Sequence, residues 1–318
     1  MFAYIVRRLL WGVFLVFGVI CITFFAVEAA PGNPFAHLES PKMTKEDLQA
    51  IKEKWGYGED KTAWDRFVIY GERLLLEGDL GTSIAKNRPV SEILEAAIPN
   101  TLKLTVAALL LDFALGIVIG VISALRQNSL LDHVCTVGSL FVYSMPGFWL
   151  ALMLALVFAV TLQWLPRSGL HDPGETGILD YLEHLALPAF TLGVAAAAST
   201  ARFQRSALLE VIRQDYIRTA RAKGLEERTV IWKHAMRNAL LPTITLFGLY
   251  LPFLFSGAII TETIFGWPGV GQRTIEAIMM RDVPVVTAIT IVTTTMVILG
   301  SLVADILYAI VDPRVRLS

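Results

Sequence analysis

Long uncharged runs separated by shorter charged segments dominate the pattern of this chain. Five runs contain 19, 34, 18, 24 and 22 residues, and a further stretch, Leu104–Leu125, is apolar except for Asp112. An α-helix rises about 1.5 Å per residue, so about 20 residues cross the ~30 Å apolar core of a bilayer. The pattern therefore predicts six transmembrane helices. The five runs lie between Arg8 and Glu28, Asp132 and Arg167, Glu183 and Arg202, Arg237 and Glu262, and Asp282 and Asp305.

The first two runs have features that bear on how they cross the membrane. The run of 34 residues is too long for one straight span, and Pro146-Gly147 within it predicts a bend, because proline removes a backbone donor. The first run follows Arg7-Arg8, as a signal-peptide core would. Its 19 residues exceed a usual core, however, and Val27–Pro31 is a poor cleavage site. We therefore expect a retained signal-anchor helix.

Composition supports an integral membrane protein. Of the 318 residues, 55% are hydrophobic and 17% are charged, and the mean hydropathy is +0.59. Soluble domains hold about 45–50% apolar and about 25% charged residues. The two cysteines, Cys21 and Cys135, both lie in apolar stretches. That position favours buried thiols over a disulfide or a metal site.

The distribution of basic residues predicts the orientation in the membrane. Residues 202–237 contain nine Lys and Arg, and Arg7-Arg8 fall on the same side if there are six spans. Because cytoplasmic loops carry an excess of Lys and Arg, both termini are predicted to be cytoplasmic. Pro31–Pro99 then lies outside, where the periodic stretches Lys45–Trp55 and Trp64–Leu76 predict amphipathic helices of a small external subdomain.

The most organised polar segment lies on the predicted cytoplasmic side, between two spans; we call residues 202–238 the coupling segment. Asp215 is predicted to cap a short helix by accepting amide protons of its first turn. Gly224 is predicted to end this helix in the left-handed conformation, after about two turns. Ile217, Ala220 and Gly224 fall near one face. They predict a small apolar strip that another surface could approach closely.

A second amphipathic helix is predicted to follow the glycine. It has Glu226 and Glu227 in its first turn and continues through Arg237 into the next span, where Pro242 bends it near the membrane boundary. A solvated basic loop would explain the charges, but not the cap, the glycine stop and the proline together. A short helix rigidly joined to a transmembrane helix can transmit a push, so we interpret this segment as a docking surface.

These residues closely resemble the permease subunits of type I ABC importers of the dipeptide/oligopeptide branch. The most specific likeness is Asp215–Leu225, which reads DYIRTARAKGL, followed by Arg237-Asn238-Ala239 and Pro242. Similar motifs extend over nearly the whole chain, at Pro31–Pro34, Gly78–Ser83, Tyr143–Pro146, Thr261–Phe265, Trp267–Gly269 and Asp312–Arg314.

The resemblance implies a fold and a domain organisation. The fold is an all-α integral membrane protein with six transmembrane helices, the type I ABC transporter permease fold, and a small external subdomain between helices 1 and 2. Residues 1–98 would hold the first helix and the subdomain, and residues 99–312 the permease domain. ATPase coupling is expected at Asp215, Tyr216, Ile217, Arg218, Ala220, Lys223, Gly224, Arg237, Asn238 and Pro242.

The resemblance also implies the function and the partners. The chain would form half of a pathway for ATP-driven uptake of di- or oligopeptides or a related small solute, in a bacterial-type inner (plasma) membrane. Its partners would be a second homologous permease, two ABC ATPase subunits, an external substrate-binding protein and membrane lipid, with no nucleic acid. The ATPase subunits would bind ATP and Mg, so no cofactor and no enzymatic activity are expected in this chain.

The coupling segment departs from the general family pattern at one place. Relative to Gly224, Arg218-Thr219-Ala220 stand where Glu-Ala-Ala is usual. Asp215 and Glu226 are the acidic residues that could replace the missing one, and the sequence does not choose between them. A literal Glu95-Ala96-Ala97 lies on the predicted external side, without the glycine that should follow it, so it is a coincidence.

Other motifs for chemistry do not occur. The sequence lacks a G-x-x-x-x-G-K-[ST] phosphate loop and the common hydrolase motifs. His133, His184 and His234 lack ligand partners at useful spacing, so we interpret them as interfacial histidines and predict no metal site. Asp112 is a candidate for the translocation path, since an ionisable residue in a membrane is costly. We favour a structural role for Asp112 inside the helix bundle over a role in the translocation path.

Two other functions compete with peptide uptake. An ion-coupled secondary transporter would use Asp112 and Asp305 as charge carriers, but such folds commonly show internal repeats, and the halves of this chain show none. Export of peptides by the same architecture is the other alternative. The sequence does not identify the solute or the partner permease.

Overall fold

Helices form the regular structure throughout the part of the chain that the computed structural model describes, residues 2–31, 35, 49, 52, 53, 61–250 and 258–311. One isolated β-bridge, between Thr82 and Pro89, is the exception there. The helices are α1 (Phe2–Ala29), α2 (Ala63–Glu77), α3 (Val90–Leu125), α4 (Leu130–Ser144), α5 (Gly147–Leu154), α6 (Ile178–Ile212), α7 (Asp215–Ala222), α8 (Glu227–Thr229), α9 (Met236–Ala239), α10 (Leu241–Tyr250), α11 (Ile259–Ile264), α12 (Val270–Met280) and α13 (Val283–Val311), with wider π-helical turns at Ala155–Thr161 and Val230–Ala235.

Four of these helices, α1, α3, α6 and α13, are long and apolar enough to cross a membrane. Together, α4 and the helical stretch that begins at Gly147 are long and apolar enough for a fifth span, and they are bent by 104° where they meet. The predicted bend at Pro146-Gly147 is thereby confirmed. The predicted span after Arg237 includes residues 251–257, which lie outside the described residues. The motifs at 32–34 and 312–314 lie outside them as well, as does most of Lys45–Trp55.

The two longest helices, α3 and α6, pack closely against each other through glycines. A Cβ added at Gly120 would lie 2.6 Å from the Ala201 carbonyl oxygen, and one added at Gly193 would lie 2.8 Å from the Ala108 carbonyl oxygen. Small residues allow membrane helices to approach each other to this distance. The α3–α6 pair therefore forms the rigid centre of the bundle.

The two ends of the described chain lie at the same end of the bundle. The Tyr4 hydroxyl donates a hydrogen bond of 2.6 Å to Asp305 on α13, and Arg8 forms an ion pair of 3.2 Å with the same carboxylate. Val27, near the other end of α1, packs instead against a cluster that includes Val90, at the start of α3. Because α3 ends under the coupling segment, the N-terminal residues and Asp305 share the end of the bundle that carries this segment.

The predicted helix at Trp64–Leu76 is confirmed as α2. Thr62 and Asp65 cap it reciprocally: Asp65 N donates to the Thr62 hydroxyl, and Thr62 N donates to the Asp65 carboxylate. The hydroxyl and amide of Thr62 hold the pKa of Asp65 below its ordinary value. Phe67 places its ring 5.3 Å from those of Phe24 and Phe25, so α2 rests on the end of α1.

Candidate coupling site

The short helix of the coupling segment is α7. It spans the two turns predicted, but Gln214, not Asp215, occupies the N-cap position, and no side chain caps the first turn. The prediction that Asp215 is the cap is wrong. Asp215 is the first helical residue, where its charge still complements the helix dipole. Its side chain is 96% exposed and lies 3.5 Å from the guanidinium of Arg218.

The apolar face of α7 is turned into its own chain. Ile217 is fully buried and Ala220 nearly so, in a cluster that includes Val121 of α3 and Leu208 of α6. The expected strip for a partner surface at Ile217 and Ala220 is therefore wrong. Water faces one side of a surface helix, so the apolar side stabilises the protein most when it is buried on the bundle. The cluster also contains Ala124, Val230, Ile231, Ala235, Met236 and Ala239.

The turn at Gly224 confirms the predicted left-handed stop. Gly224 has φ +75°, and its N–H donates to the Arg221 carbonyl at 2.9 Å. Across this turn the Arg221 guanidinium donates two hydrogen bonds to Glu227, of 3.0 Å and 2.7 Å. The hydrogen bond from Arg221 holds the pKa of Glu227 below its ordinary value. The glycine and the bidentate pair together fix the angle between α7 and α8.

Tyr216 and Asn238 join the two separate parts of the recognised motif. The Asn238 side-chain amide donates a hydrogen bond of 2.7 Å to the Tyr216 hydroxyl. Tyr216 lies in the first turn of α7, and Asn238 lies in α9, just before the chain enters α10. The hydrogen bond thus connects the coupling helix directly to the segment that leads into the next transmembrane run.

The predicted second helix is less regular than expected. A helical turn begins at Glu227, widens at Val230–Ala235 and is interrupted at Leu240, two residues before Pro242. The second helix is therefore present with a π-helical turn, and its interruption at Leu240 lies where the bend at Pro242 was predicted. Proline has no amide proton and its ring crowds the preceding turn, so it is tolerated in the first turn of a new helix, where α10 places it.

The surface that α7 presents to solvent is polar. Arg218 is 73% exposed on this surface. Asp215, Lys223, Gly224 and Arg237 are exposed around it, and Pro242 is exposed further along the chain. Of the ten coupling residues predicted from the sequence, Ile217 and Ala220 are buried and support the helix from below, while the others lie at the surface.

A buried ion pair beneath the coupling segment was not predicted from the sequence. Arg205 of α6 donates two hydrogen bonds of 2.8 Å to Asp132, at the start of α4. The Ser123 hydroxyl and the Asn128 amide also donate to this carboxylate. The pair joins α3, α4 and α6 at the end that carries the coupling segment. In the sequence, Arg205 is one of nine basic residues in 202–237. The only sign of its partner was the position of Asp132 at the edge of an apolar run.

Asp112 lies within the chain and does not face an open cavity. It is buried on α3 against α6, beside Thr200 and near the backbone of Gly193. A residue that lined a pathway between two permeases would be exposed on the isolated chain. The position of Asp112 therefore supports the structural interpretation.

We expect Asp112→Asn to keep solute uptake within about twofold of wild type and to raise the thermal unfolding midpoint. An ionisable side chain in the apolar core costs about 2.5–3.5 kcal/mol, and asparagine keeps its shape without the charge. Uptake of labelled solute and tryptophan fluorescence during heating measure the two effects. Loss of uptake in a variant of wild-type stability would contradict the structural role and place Asp112 on the pathway.

The loop Phe265–Gly269 packs against its own bundle at the opposite end. Phe265 and Trp267 are buried, and the Trp267 indole donates a hydrogen bond of 2.9 Å to the Asn100 carbonyl. Next to them, buried Glu262 accepts hydrogen bonds from the Thr101 hydroxyl, at 2.8 Å, and from the Gln272 amide, at 3.0 Å. The aromatic side chains of this loop stabilise the chain itself.

One group of side chains at that end has the composition of a metal site. Ligand atoms of Asp172, Asp180 and His184 all lie within 4.8 Å of one another. The sequence prediction of an interfacial His184 without ligand partners missed this arrangement: Asp180 lies one helical turn before His184, and Asp172 approaches them through the path of a loop. In the coupling segment, by contrast, the described side chains form no such group.

The long apolar helices and the bend define a multi-pass membrane protein. The family model "binding-protein-dependent transport system inner membrane component" matches residues 116–317. A chain of the MetNI methionine ABC transporter, solved in inward-facing conformations, has the same fold: its TM-score is 0.57 at 20% identity, and the match covers 70% of this chain and 97% of that one.

Curated relatives match over almost their whole length. The oligopeptide transport system permease protein AppB of Bacillus subtilis is 42% identical, over 99% of this chain and 100% of its own. The di/tripeptide transport system permease protein DppB of Pseudomonas aeruginosa is 41% identical, and the dipeptide transport system permease protein DppB of Escherichia coli K12 is 38% identical; each match covers 99% of both chains.

This chain belongs to the family of inner membrane components of binding-protein-dependent transport systems. It is a multi-pass permease subunit of an ABC transporter, not an enzyme, and it acts in a complex with other subunits. The expected type I permease fold is confirmed.

Proposed function

We propose that this chain forms half of the translocation pathway of an importer for di- or oligopeptides. The substrate names of the relatives with 42%, 41% and 38% identity support this class. A second homologous permease would supply the other half of the pathway. An external binding protein would deliver the peptide at the end opposite the coupling segment, and both termini would be cytoplasmic.

The observation that carries the proposal is the polar surface of α7 on an anchored base. Asp215, Arg218 and Lys223 are exposed there, while Ile217 holds the helix to α3 and α6. Two ATPase subunits, which would bind ATP and Mg, would dock on this surface and on its counterpart in the second permease. Asp215, on the exposed side, would take the place of the usual acidic residue.

The contacts below α7 supply a route by which a displacement of α7 would reach the transmembrane helices. Closure of the ATPases on ATP would press on α7. The Tyr216–Asn238 hydrogen bond would carry the displacement toward α10, and Ile217 would carry it into the cluster between α3 and α6. A rigid helix can transmit a push in this way because packed interfaces shift between discrete arrangements and do not deform continuously.

The test is a pull-down of the tagged chain from its native membrane in mild detergent, with mass spectrometry of the proteins that co-purify. Recovery of a second permease and of ATPase subunits is expected. Arg218→Glu should reduce the recovered ATPase at least about tenfold, because it reverses a charge at the proposed interface. The matched control Arg88→Glu, at the opposite end, should not. A chain that purifies alone yet moves solute in liposomes would overturn the proposal.

The same preparation tests the substrate class. Reconstituted with its partners and its binding protein, the complex should accumulate labelled di- or oligopeptides inside vesicles when ATP is present on the coupling side. Accumulation that instead follows an ion gradient without ATP would favour the secondary transporter. ATP-driven movement toward the side that holds the binding protein would favour export.

A further inference from the structure

The end of the bundle opposite the coupling segment holds a compact group of three potential metal ligands. Asp172 lies in the loop before α6, and Asp180 and His184 lie one turn apart in the first turns of α6. Their ligand atoms lie within 4.8 Å of one another. The group therefore joins a loop to the beginning of a long helix, and none of the three residues belongs to the coupling site.

The orientation of His184 decides which of its ring nitrogens is available to an ion. Its side chain is 1% exposed, and its Nδ1 lies 2.9 Å from the Asp180 carbonyl oxygen, which can only accept a hydrogen bond. Nδ1 therefore donates to this carbonyl, and Nε2 is the ring nitrogen left available to a ligand. Histidines that bind metals commonly have this arrangement, in which the other ring nitrogen donates to a backbone carbonyl and fixes the ring.

Nε2 of His184 faces a carboxylate. It has no hydrogen-bond partner and lies 3.7 Å from Oδ1 of Asp172. Two ligands bound to one tetrahedral ion at ~2.1 Å are about 3.4 Å apart. The side chain of Asp172 is 69% exposed and can close the small difference.

The second carboxylate is already oriented. Asp180 accepts a hydrogen bond of 3.1 Å from the Asp172 amide, and His171 Nδ1 lies 2.6 Å from its other oxygen. Such outer contacts fix a carboxylate ligand, and each of its oxygens keeps a second lone pair for an ion. His171 thus supports Asp180 from the solvent side.

We propose that Asp172, Asp180 and His184 bind a divalent transition-metal ion of the Zn²⁺ class. One imidazole and two carboxylates form a mixed nitrogen and oxygen set that suits such an ion, with a fourth position open to water. The ion connects the loop that contains Asp172 to the first turns of α6. The same loop donates a backbone hydrogen bond of 3.0 Å from Gly169 to Phe265, so the ion stabilises the packing of both loops at this end.

Co²⁺ serves as the spectroscopic probe, with the intact complex purified through a histidine-free tag and stripped of metal and nucleotide. Wild type should bind one more equivalent of Co²⁺ per copy of this chain than Asp172→Asn does, and Zn²⁺ should displace it. Asp172→Asn alters an exposed side chain, so folding is not at stake. The Co²⁺ affinity of this variant at the site should fall by more than the roughly 10–100-fold loss that is typical when a residue outside the ligand set is changed.

Two further variants complete the test. His184→Gln should abolish the same Co²⁺ absorption, whereas the matched control His133→Gln, an exposed histidine on α4, should retain it. Zn²⁺ should also raise the thermal unfolding midpoint of wild type but not of Asp172→Asn. Equal Co²⁺ binding by wild type and Asp172→Asn, or no binding by either, would overturn the proposal.

Discussion

Gly224→Val is expected to uncouple ATP hydrolysis from uptake while the complex still assembles in the membrane. Gly224 has φ +75°, and no atom lies within 4 Å of an added Cβ, so the backbone conformation and not the available space opposes the substitution. A non-glycine residue in the left-handed region costs about 1–2 kcal/mol, and more if it is β-branched. The angle between α7 and α8 should therefore change.

We expect uptake per ATP hydrolysed to decrease about 5- to 30-fold. This range corresponds to the free-energy cost of about 1–2 kcal/mol that a non-glycine residue has in the left-handed conformation. Transport and phosphate release are measured on the same vesicles. Gly224→Asn is the matched control, because asparagine adopts the left-handed conformation more readily; it should remain within about twofold of wild type. Wild-type coupling in Gly224→Val would refute the role of this turn.

Arg205→Ala is expected to have the largest effect on stability. Asp132 is buried and takes both of its 2.8 Å ionic hydrogen bonds from Arg205. Removing one member of a buried pair costs about 3–5 kcal/mol, because the other charge is left without compensation. Since Arg205 is itself partly exposed, we expect the lower end, about 3 kcal/mol. The thermal unfolding midpoint should fall by roughly 5–10 °C.

Tryptophan fluorescence of the purified complex during heating measures this midpoint. Arg213→Ala removes an exposed arginine just after the same helix, α6, and should change the midpoint by less than about 2 °C. Arg205→Lys keeps the charge but loses the bidentate geometry, so an intermediate value is expected. A midpoint for Arg205→Ala equal to that of Arg213→Ala would show that the pair contributes nothing to stability.

The sequence predicted the elements that depend on local rules. Uninterrupted apolar runs defined α1 and α13, a run broken only by Asp112 defined α3, Pro146-Gly147 marked the bend, and Gly224 marked the end of α7. These signals rest on the chemistry of one residue or on a run of like residues. They do not require knowledge of which elements meet in space.

Most of the contacts that the sequence did not predict are made between separate segments. Whether Ile217 faces a partner or its own bundle depends on where α3 and α6 end. The Arg205–Asp132 pair joins residues 73 positions apart, and Asp172 meets His184 through the path of a loop. The N-cap assignment failed for another reason: Asp215 and Gln214 are adjacent, and helix boundaries are uncertain by a residue or two.

In the proposed complex, the burial of Ile217 has a consequence for how an ATPase subunit would associate. Fixing the backbone of a residue costs about 1–2 kcal/mol in conformational entropy, and for the eight residues of α7 this ordering is completed when the chain folds. The free energy of binding is then not reduced by the cost of ordering this helix. Contacts on such a preformed surface can be made and broken once per turnover without melting and refolding the element that receives the force.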